Sequence, residues 1–303
     1  MTSSSNAFLT LPPASRASKS TMSESKTITC SDLQAEIRRY TGELGYRLDM
    51  IMPADDPREA TVSRQGGSIR LIQSSKLERP DAVKKPQSVG TPNEWTIGRA
   101  GMMYRDLIAD RTGGNVIASH IRIVGGGEVP DSVHYHKIDF QIIYCLKGAI
   151  RVVYEDQGPP FWLMRGDCVL QPPEIRHRVL EAEAGSEVIE ITSPAEHETW
   201  FDHEMELPTG NLRPERVFEK QRFVRHLDTE SRWLPLDENQ TIAARTEIGA
   251  AGVGSPDVYT VRVNDSQRYL VEWKETMDLS LKILVGGRGV ILRAYASKPG
   301  EEE

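Results

Sequence analysis

The sequence predicts a mainly β protein built around an antiparallel barrel or sandwich. From residue 95 onward, short runs rich in Val, Ile, Tyr and Phe are separated by Gly, Pro, Asp or Asn. The separations are roughly ten residues, which is typical of short strands joined by tight turns. Hydrophobic residues make up 38% of the 303 residues and charged residues 27%, a balance that suits a globular protein.

Composition excludes several classes of partner and location. The net charge is −7, with acidic and basic residues scattered along the chain, so no basic surface for nucleic acid is expected. No apolar run approaches the roughly 18 residues of a membrane span. The chain has 3 cysteines and no CxxC pair, which favours a reducing, cytoplasmic location over a disulfide framework.

The N-terminal quarter predicts a leader and a small α+β unit. Residues 1–25 are rich in Ser and Thr and are predicted to be a disordered leader, with a transit peptide as the alternative. In the unit at 26–75, a helix is expected over 31–45, capped by Ser31 or Asp32. Strands are expected over 46–52 and 60–73, the latter broken at Gly66-Gly67. This unit resembles half of a glyoxalase/vicinal-oxygen-chelate module, but it carries no matched set of that family's metal ligands.

The rest of the chain divides into a linker and two β-rich segments. Residues 76–94 are polar and contain several prolines, which indicates a linker. We expect the main barrel over 95–215. Residues 216–303 begin irregularly and then again show strand patterns.

The motif with chemical content is "SVHYHKIDFQIIYCLKG", residues 132–148. A strand has a side-chain period of two, so His134 and His136 share one face. Gln141 follows on the next predicted strand, and "RGDCVLQPPEIRH" then supplies His177. Imidazole is the commonest metal ligand in proteins, so three histidines on neighbouring strands predict a metal site with open positions.

These two segments resemble the two motifs of the cupin superfamily. His134, His136 and Gly148 match the spacing of the first motif, and Gln141 occupies its Glu position. In the second motif, Gly166, Pro172 and His177 match. The departures are Gly127, which lies one residue early, Glu174 in place of a Gly, and Glu181 in place of an Asn.

The resemblance implies a double-stranded β-helix, the cupin or jelly-roll barrel, that holds one divalent metal ion. His134, His136 and His177 would bind the metal. Gln141 would be a weak fourth ligand or a catalytic group that orients substrate. Fe²⁺ is favoured, with Zn²⁺, Mn²⁺ and Ni²⁺ as alternatives. Because an amide is uncharged, the site would keep the full charge of the ion and favour anionic, chelating substrates.

The same resemblance implies a function class and leaves alternatives open. Three-histidine cupins include many Fe(II) dioxygenases, so an Fe(II) dioxygenase acting on a small anionic or chelating molecule is the leading hypothesis. The alternatives are a redox-neutral metal-dependent isomerase or lyase, and a non-catalytic small-molecule-binding cupin. A homodimer is expected because free sheet edges tend to pair.

Some further residues were candidates for the site. Cys145 is interpreted as a small buried side chain or, less favoured, a ligand. His120 is expected either at the barrel mouth or facing solvent, and His197 and His203 on a helix or loop that covers the barrel. Residues 216–303 resemble a degenerate, partial second cupin barrel, with Glu272 and Lys274 where a His-x-His pair would lie.

Overall fold

The computed structural model of the chain describes residues 26–65, 67–74, 95–108, 111–236, 241–263, 272–273 and 278–295. The predicted leader, the predicted linker and Lys274 lie outside these ranges. Among the described residues, no helix has both the length and the apolar character needed to cross a membrane.

A small α+β unit comes first. Its helix begins after Asp32, whose side chain accepts a hydrogen bond from the Ala35 amide at 2.9 Å. The α-helix is shorter than predicted, because from Arg39 the chain continues as a π-helical turn. Gly45, with φ 68°, then ends the helical segment. The elements are β1 (Lys26–Cys30), α1 (Leu33–Arg38), the π-turn (Arg39–Glu43), β2 (Arg47–Met52), β3 (Glu59–Arg64) and β4 (Gly67–Gln73).

The barrel strands follow, with the alternation that the sequence predicts. They are β5 (Thr96–Ile97), β6 (Met103–Asp106), β7 (Ile117–Ile123), β8 (Gly127–Glu128), β9 (His134–His136), β10 (Phe140–Lys147), β11 (Ala149–Tyr154), β12 (Phe161–Met164), β13 (Cys168–Gln171), β14 (His177–Ala182), β15 (Ser186–Ser193) and β16 (Thr199–Phe201).

Two antiparallel sheets form the walls of this jelly-roll barrel. One has the order β16-β9-β14-β11-β12, with β8 beside β14. The other has the order β13-β10-β15-β7-β6-β5. Side chains of both sheets, such as Ile121, Ile143, Ile150 and Val169, meet in one buried cluster between them. The mainly β prediction and the predicted barrel are therefore confirmed.

The N-terminal unit is joined to the barrel through a shared sheet. Strand β2 pairs with β16, and β16 pairs with β9, which carries His134 and His136. The loop after β2 is tied to the barrel by ion pairs from Asp55 to Arg111, at 2.5 Å, and from Arg58 to Glu196. The unit is therefore linked through β16 to the strand that carries His134 and His136.

A third sheet covers the outer face of the barrel. Its strand order is β20-β21-β22-β25-β24-β23, and it packs on residues such as Ile142, Tyr144 and Ile189. The strands in this part of the chain are β17 (Val217–Phe218), β18 (Gln221–Arg222), β19 (Val224–His226), β20 (Leu234–Pro235), β21 (Ile242–Arg245), β22 (Asp257–Arg262), β23 (Glu272–Trp273), β24 (Asp278–Val285) and β25 (Arg288–Tyr295).

Turns at the motif positions explain which glycines the motifs need. Gly148 has φ 68°, and a Cβ there would come within 2.5 Å of the Ser186 hydroxyl. Gly166 has φ 95°, and a Cβ there would come within 2.5 Å of the Asp228 carboxyl carbon. Glu174, at the third glycine position, also has φ 60°, so the backbone keeps the left-handed conformation without its preferred residue.

Candidate metal centre

The three motif histidines lie together on two neighbouring strands. His134 pairs across the sheet with His177, and His136 lies two residues further along β9. All three are buried, and one potential ligand nitrogen from each lies within 4.8 Å of the others. The ring centroids of His134 and His177 are 4.3 Å apart. The sheet thus brings together all three imidazoles that the sequence singled out.

Hydrogen bonds at Nδ1 set the orientation of each ring. His134 Nδ1 lies 2.7 Å from the Ser132 carbonyl, and His177 Nδ1 lies 2.9 Å from the Ile175 carbonyl. A carbonyl only accepts, so each Nδ1 carries the hydrogen and each Nε2 keeps its lone pair. His136 Nδ1 lies 2.9 Å from the Thr199 hydroxyl. Partners of this kind are typical of metal-binding histidines, because they orient the ring and raise its basicity.

The histidines are uncharged, and one of their Nε2 atoms has no partner among the described residues. His134 Nε2 is buried and makes no hydrogen bond to any group that the structure describes. Burial lowers the pKa of His134 and of His136 well below its usual range, and lowers the pKa of His177 to about 4. Neutral imidazoles with free lone pairs are the form in which histidine binds a metal. An orphaned, buried acceptor is costly, so the donor set fits a metal ion at this point.

A hydrogen-bond chain links Gln141 to the histidine group through Gln171. The Tyr154 hydroxyl donates to Gln171 Oε1 at 2.5 Å, and Gln171 Nε2 donates to Gln141 Oε1, also at 2.5 Å. The amide of Gln141 also hydrogen-bonds the Glu190 carboxyl group. Gln171 Nε2 lies 3.3 Å from His177 Nε2, so the chain begins beside the histidine group.

Glu190 is a carboxyl group on β15 that faces the interior. It lies opposite Ile143 on one neighbouring strand and opposite Ser119 on the other. Burial raises the pKa of Glu190 to about 7, against the opposing effect of the nearby Arg99 guanidinium. Near neutral pH this group can therefore hold or release a proton, which is the property expected of a general acid or base.

Arg99 supplies a partly buried positive charge near the histidines. It pairs with Asp131, whose carboxylate also accepts from the Ser132 amide at 3.0 Å and the Val179 amide at 2.9 Å. His134 Nδ1 lies 3.7 Å from the same carboxylate. Asp131 therefore ties the arginine to the strand that leads into the histidine motif.

Two cavities meet beside His136. The inner cavity, of about 50 Å³, has apolar walls and is lined at its polar end by His136, His177 and Gln171. The mouth cavity, of about 20 Å³, is lined by Ala54 and Asp55 of the N-terminal unit and by His197. Each water needs roughly 10–15 Å³ of such space, so the site suits a small molecule.

The remaining sequence candidates lie elsewhere or have structural roles. His120 lines neither cavity, because strand alternation turns its side chain away from the barrel interior. There it is buried against Glu187, with His120 Nε2 2.7 Å from the carboxylate. Burial raises the pKa of Cys145 to about 12, so its thiol stays protonated and is a poor ligand. His203 bonds the Leu48 carbonyl at 2.7 Å. Only His197 joins the site, with its ring 5.3 Å from that of His136.

Sequence reasoning missed Arg99, Tyr104, Asp131 and Glu190. Glu190 had a usable signal, since it is a lone acid in the run "VIEIT", where alternation directs it to the same face as Val188. Arg99 had none, because it lies on a 3-10 turn between two short strands and reaches the histidines only through the closure of the barrel.

We expect Thr199→Val to lower metal affinity about 10- to 100-fold, the usual cost of removing the partner of a metal-binding histidine. The change removes the hydroxyl beside His136 Nδ1 at nearly constant volume. Titration with Zn²⁺ against a competing chelator measures the affinity. Thr260→Val, also fully buried but in the third sheet, is the matched control and should leave the affinity unchanged. Equal affinity in both variants would contradict the assigned role of Thr199.

We expect the metal-free protein to lose stability as the pH falls from about 6.5 toward about 4. The unfolded chain protonates His177 near its ordinary pKa of 6.5, whereas burial lowers the pKa in the folded state to about 4. The unfolded state therefore binds more protons in this window, and the loss from His177 alone is on the order of 3 kcal/mol.

Urea denaturation at several pH values measures this loss. A His177→Gln variant controls for all other acid-sensitive groups and should show a shallower decline between pH 6.5 and 4. The same slope in both proteins would show that His177 is not held neutral by burial.

Comparisons with known proteins give structural likenesses at low identity. The scan of protein-family models and the search of curated proteins found no match. Among solved structures, oxalate decarboxylase from Bacillus subtilis is 12% identical, with a TM-score of 0.39 and 64% of each chain covered. The Lactobacillus farciminis oxalate decarboxylase–formate complex is 11% identical, with a TM-score of 0.43, 67% of this chain covered and 77% of that one.

A shorter neighbour is an RmlC-like cupin from Shewanella frigidimarina. It is 26% identical, with a TM-score of 0.29, and the match covers 37% of this chain and 92% of that one. The chain thus spans 64% of the length of the Bacillus enzyme and most of the shorter protein. Independently of these likenesses, the two facing antiparallel sheets show that β5 to β16 form a jelly-roll barrel, and this barrel carries a buried group of three histidines that could hold a metal ion.

Proposed function

We propose that the chain is a mononuclear metal-dependent cupin enzyme, and specifically an Fe(II) dioxygenase that acts on a small anionic or chelating organic molecule. The observation that carries this proposal is the convergence of three neutral, buried imidazoles, one of which has an Nε2 atom without any partner in the described structure. His134, His136 and His177 would hold the ion. A three-nitrogen set occupies one side of a metal ion and leaves positions for substrate and O₂.

The charge of the donor set supports an anionic, chelating substrate. None of the three ligands is a carboxylate, so a divalent ion would keep its full charge, and the Arg99 guanidinium, paired with Asp131, lies nearby. A bound metal ion supplies Lewis acidity and, for iron, the ability to react with O₂. Gln141, held by Gln171 and Glu190, would orient substrate through its amide rather than add charge. The apolar walls of the inner cavity would exclude bulk water.

A redox-neutral reaction is the second candidate, and Glu190 favours it. Burial raises the pKa of this carboxyl group to about 7, which suits proton transfer in an isomerase or lyase that uses Zn²⁺, Mn²⁺ or Ni²⁺ as a Lewis acid. The two candidates share the site and differ in the metal and in the need for O₂. The homodimer and the cytoplasmic location stay predictions.

Elemental analysis and oxygen uptake test the proposal together. We expect about one iron per chain after purification from iron-supplied cells, and O₂ consumption with a member of a panel of phenolic, diketone and thiol acids. Iron binding without O₂ dependence, or turnover with a redox-inert metal, would support the second candidate. Ligand binding without turnover in protein loaded with each of Fe²⁺, Zn²⁺, Mn²⁺ and Ni²⁺ would overturn both in favour of a non-catalytic binding protein.

We expect His134→Ala to lose both metal and activity, because it removes one of three ligands and leaves two. His203→Ala is the matched control, since His203 is a partly exposed histidine bonded to a backbone carbonyl and lies outside the donor set. Circular dichroism should show that both variants remain folded. Full metal content in folded His134→Ala would contradict the assigned ligand set.

A further inference from the structure

We propose that the junction between the two cavities is a carboxylate-binding subsite, and that the substrate is a small monocarboxylate with an apolar body. Arg99, Tyr104 and Ser119 form the subsite, beside the histidine group. This inference deepens the proposed function and rests on it only for the metal ion. The observations that carry it are an arginine and two hydroxyl groups that lie together beside the apolar part of the inner cavity.

Arg99 has hydrogen-bonding capacity left over. Among the described residues, the ion-pair partner of Arg99 is Asp131. The side chain of Arg99 also lines both cavities. A guanidinium has five N–H donors in a fork that matches the two oxygens of a carboxylate. Since Asp131 also accepts from the amides of Ser132 and Val179, its charge is shared among several donors. A second carboxylate at Arg99 would therefore complete the pairing of a buried cation.

Tyr104 and Ser119 add hydroxyl donors on the same inner face. Tyr104 is 7% exposed, and the one partner of its hydroxyl among the described residues is the Met102 sulfur, a weak acceptor, at 3.9 Å. Ser119 is 2% exposed and lines the mouth cavity. In strand register Tyr104 lies beside Ile121, two residues from Ser119 on β7. Buried hydroxyls normally find a good partner, so a tyrosine hydroxyl bonded only weakly, with a serine and an arginine beside it, indicates a ligand.

The charge balance and shape of the junction favour a carboxylate with a short apolar tail. Asp55 lines the mouth cavity but is paired with Arg111 at 2.5 Å. Glu190 lies at the same junction, where its carboxyl group hydrogen-bonds the Gln141 amide. From the junction, the inner cavity extends between Ile121, Ile143 and Val188. With about 50 Å³ available, this space suits a few carbon atoms rather than a large ring system.

Calorimetric binding of butanoate and its neutral isostere butanamide tests the subsite. In metal-free protein we expect butanoate to bind at least about tenfold more tightly, because hydrogen bonds to a charged group are roughly twice as strong as neutral ones. Metal-free protein is essential, since a carboxylate bound only through the metal would lose its advantage there. Zn²⁺-loaded protein is measured in parallel to show that the metal centre itself is intact.

Tyr104→Phe should reduce the preference for butanoate several-fold while leaving butanamide binding little changed. Tyr40→Phe, another buried tyrosine but in the N-terminal unit, is the matched control and should keep the full preference. Arg99→Gln combined with Asp131→Asn removes both charges together, so no buried charge is left unpaired, and should abolish the preference.

Comparable affinity for butanoate and butanamide in the metal-free wild type would overturn the carboxylate subsite. A full preference retained in the Arg99→Gln/Asp131→Asn double variant would also overturn it. If Zn²⁺ still binds at one per chain in that case, the metal centre stands and only the subsite fails. If the preference is present but no metal binds, the subsite stands and the proposed metal-dependent function fails.

Discussion

Three imidazole rings that must stay neutral inside a protein are the constraint on which this structure depends. Each Nδ1 of His134, His136 and His177 lies against an oxygen of the surrounding backbone or of Thr199, so the Nε2 atoms point inward. Buried acceptors without donors are costly, and so are buried imidazolium ions. A cation shared by the three rings removes both costs, because it takes the lone pairs and makes protonation unnecessary. The histidine group therefore makes physical sense as part of a metal site.

Residues and strands around the three histidines hold them in place. Asp131 links Arg99 to the strand that begins with His134, and Thr199 belongs to β16, which also pairs with the N-terminal unit. The α+β unit thus supports the strand that holds two of the histidines and contributes Ala54 and Asp55 to the mouth cavity. On the opposite side, the third sheet covers the back of β10, where Ile142 and Tyr144 point away from the site.

The part of the site that could be predicted from the sequence is the part set by local spacing. His134 and His136 share a face because strand side chains alternate, and turns at Gly148 and Gly166 return the chain so that His177 lies beside His134. The jelly-roll barrel, predicted from the spacing of short strands and turns, is confirmed as well. Glu190 and Arg99 could not be assigned, because their positions depend on how distant strands close into a barrel. The hydrogen bonds of Gln141 depend on Gln171, which lies directly opposite on β13, and no local pattern shows that pairing.

X-ray absorption spectroscopy of the metal-loaded protein tests the central claim most directly. Convergence of the three Nε2 atoms on one ion predicts three imidazole nitrogens at about 2.0–2.1 Å from zinc, with multiple scattering from the rings and light-atom ligands in the remaining positions. Sulfur in the coordination shell, or fewer than two imidazoles, would contradict it, because the ion would then be held by something other than His134, His136 and His177.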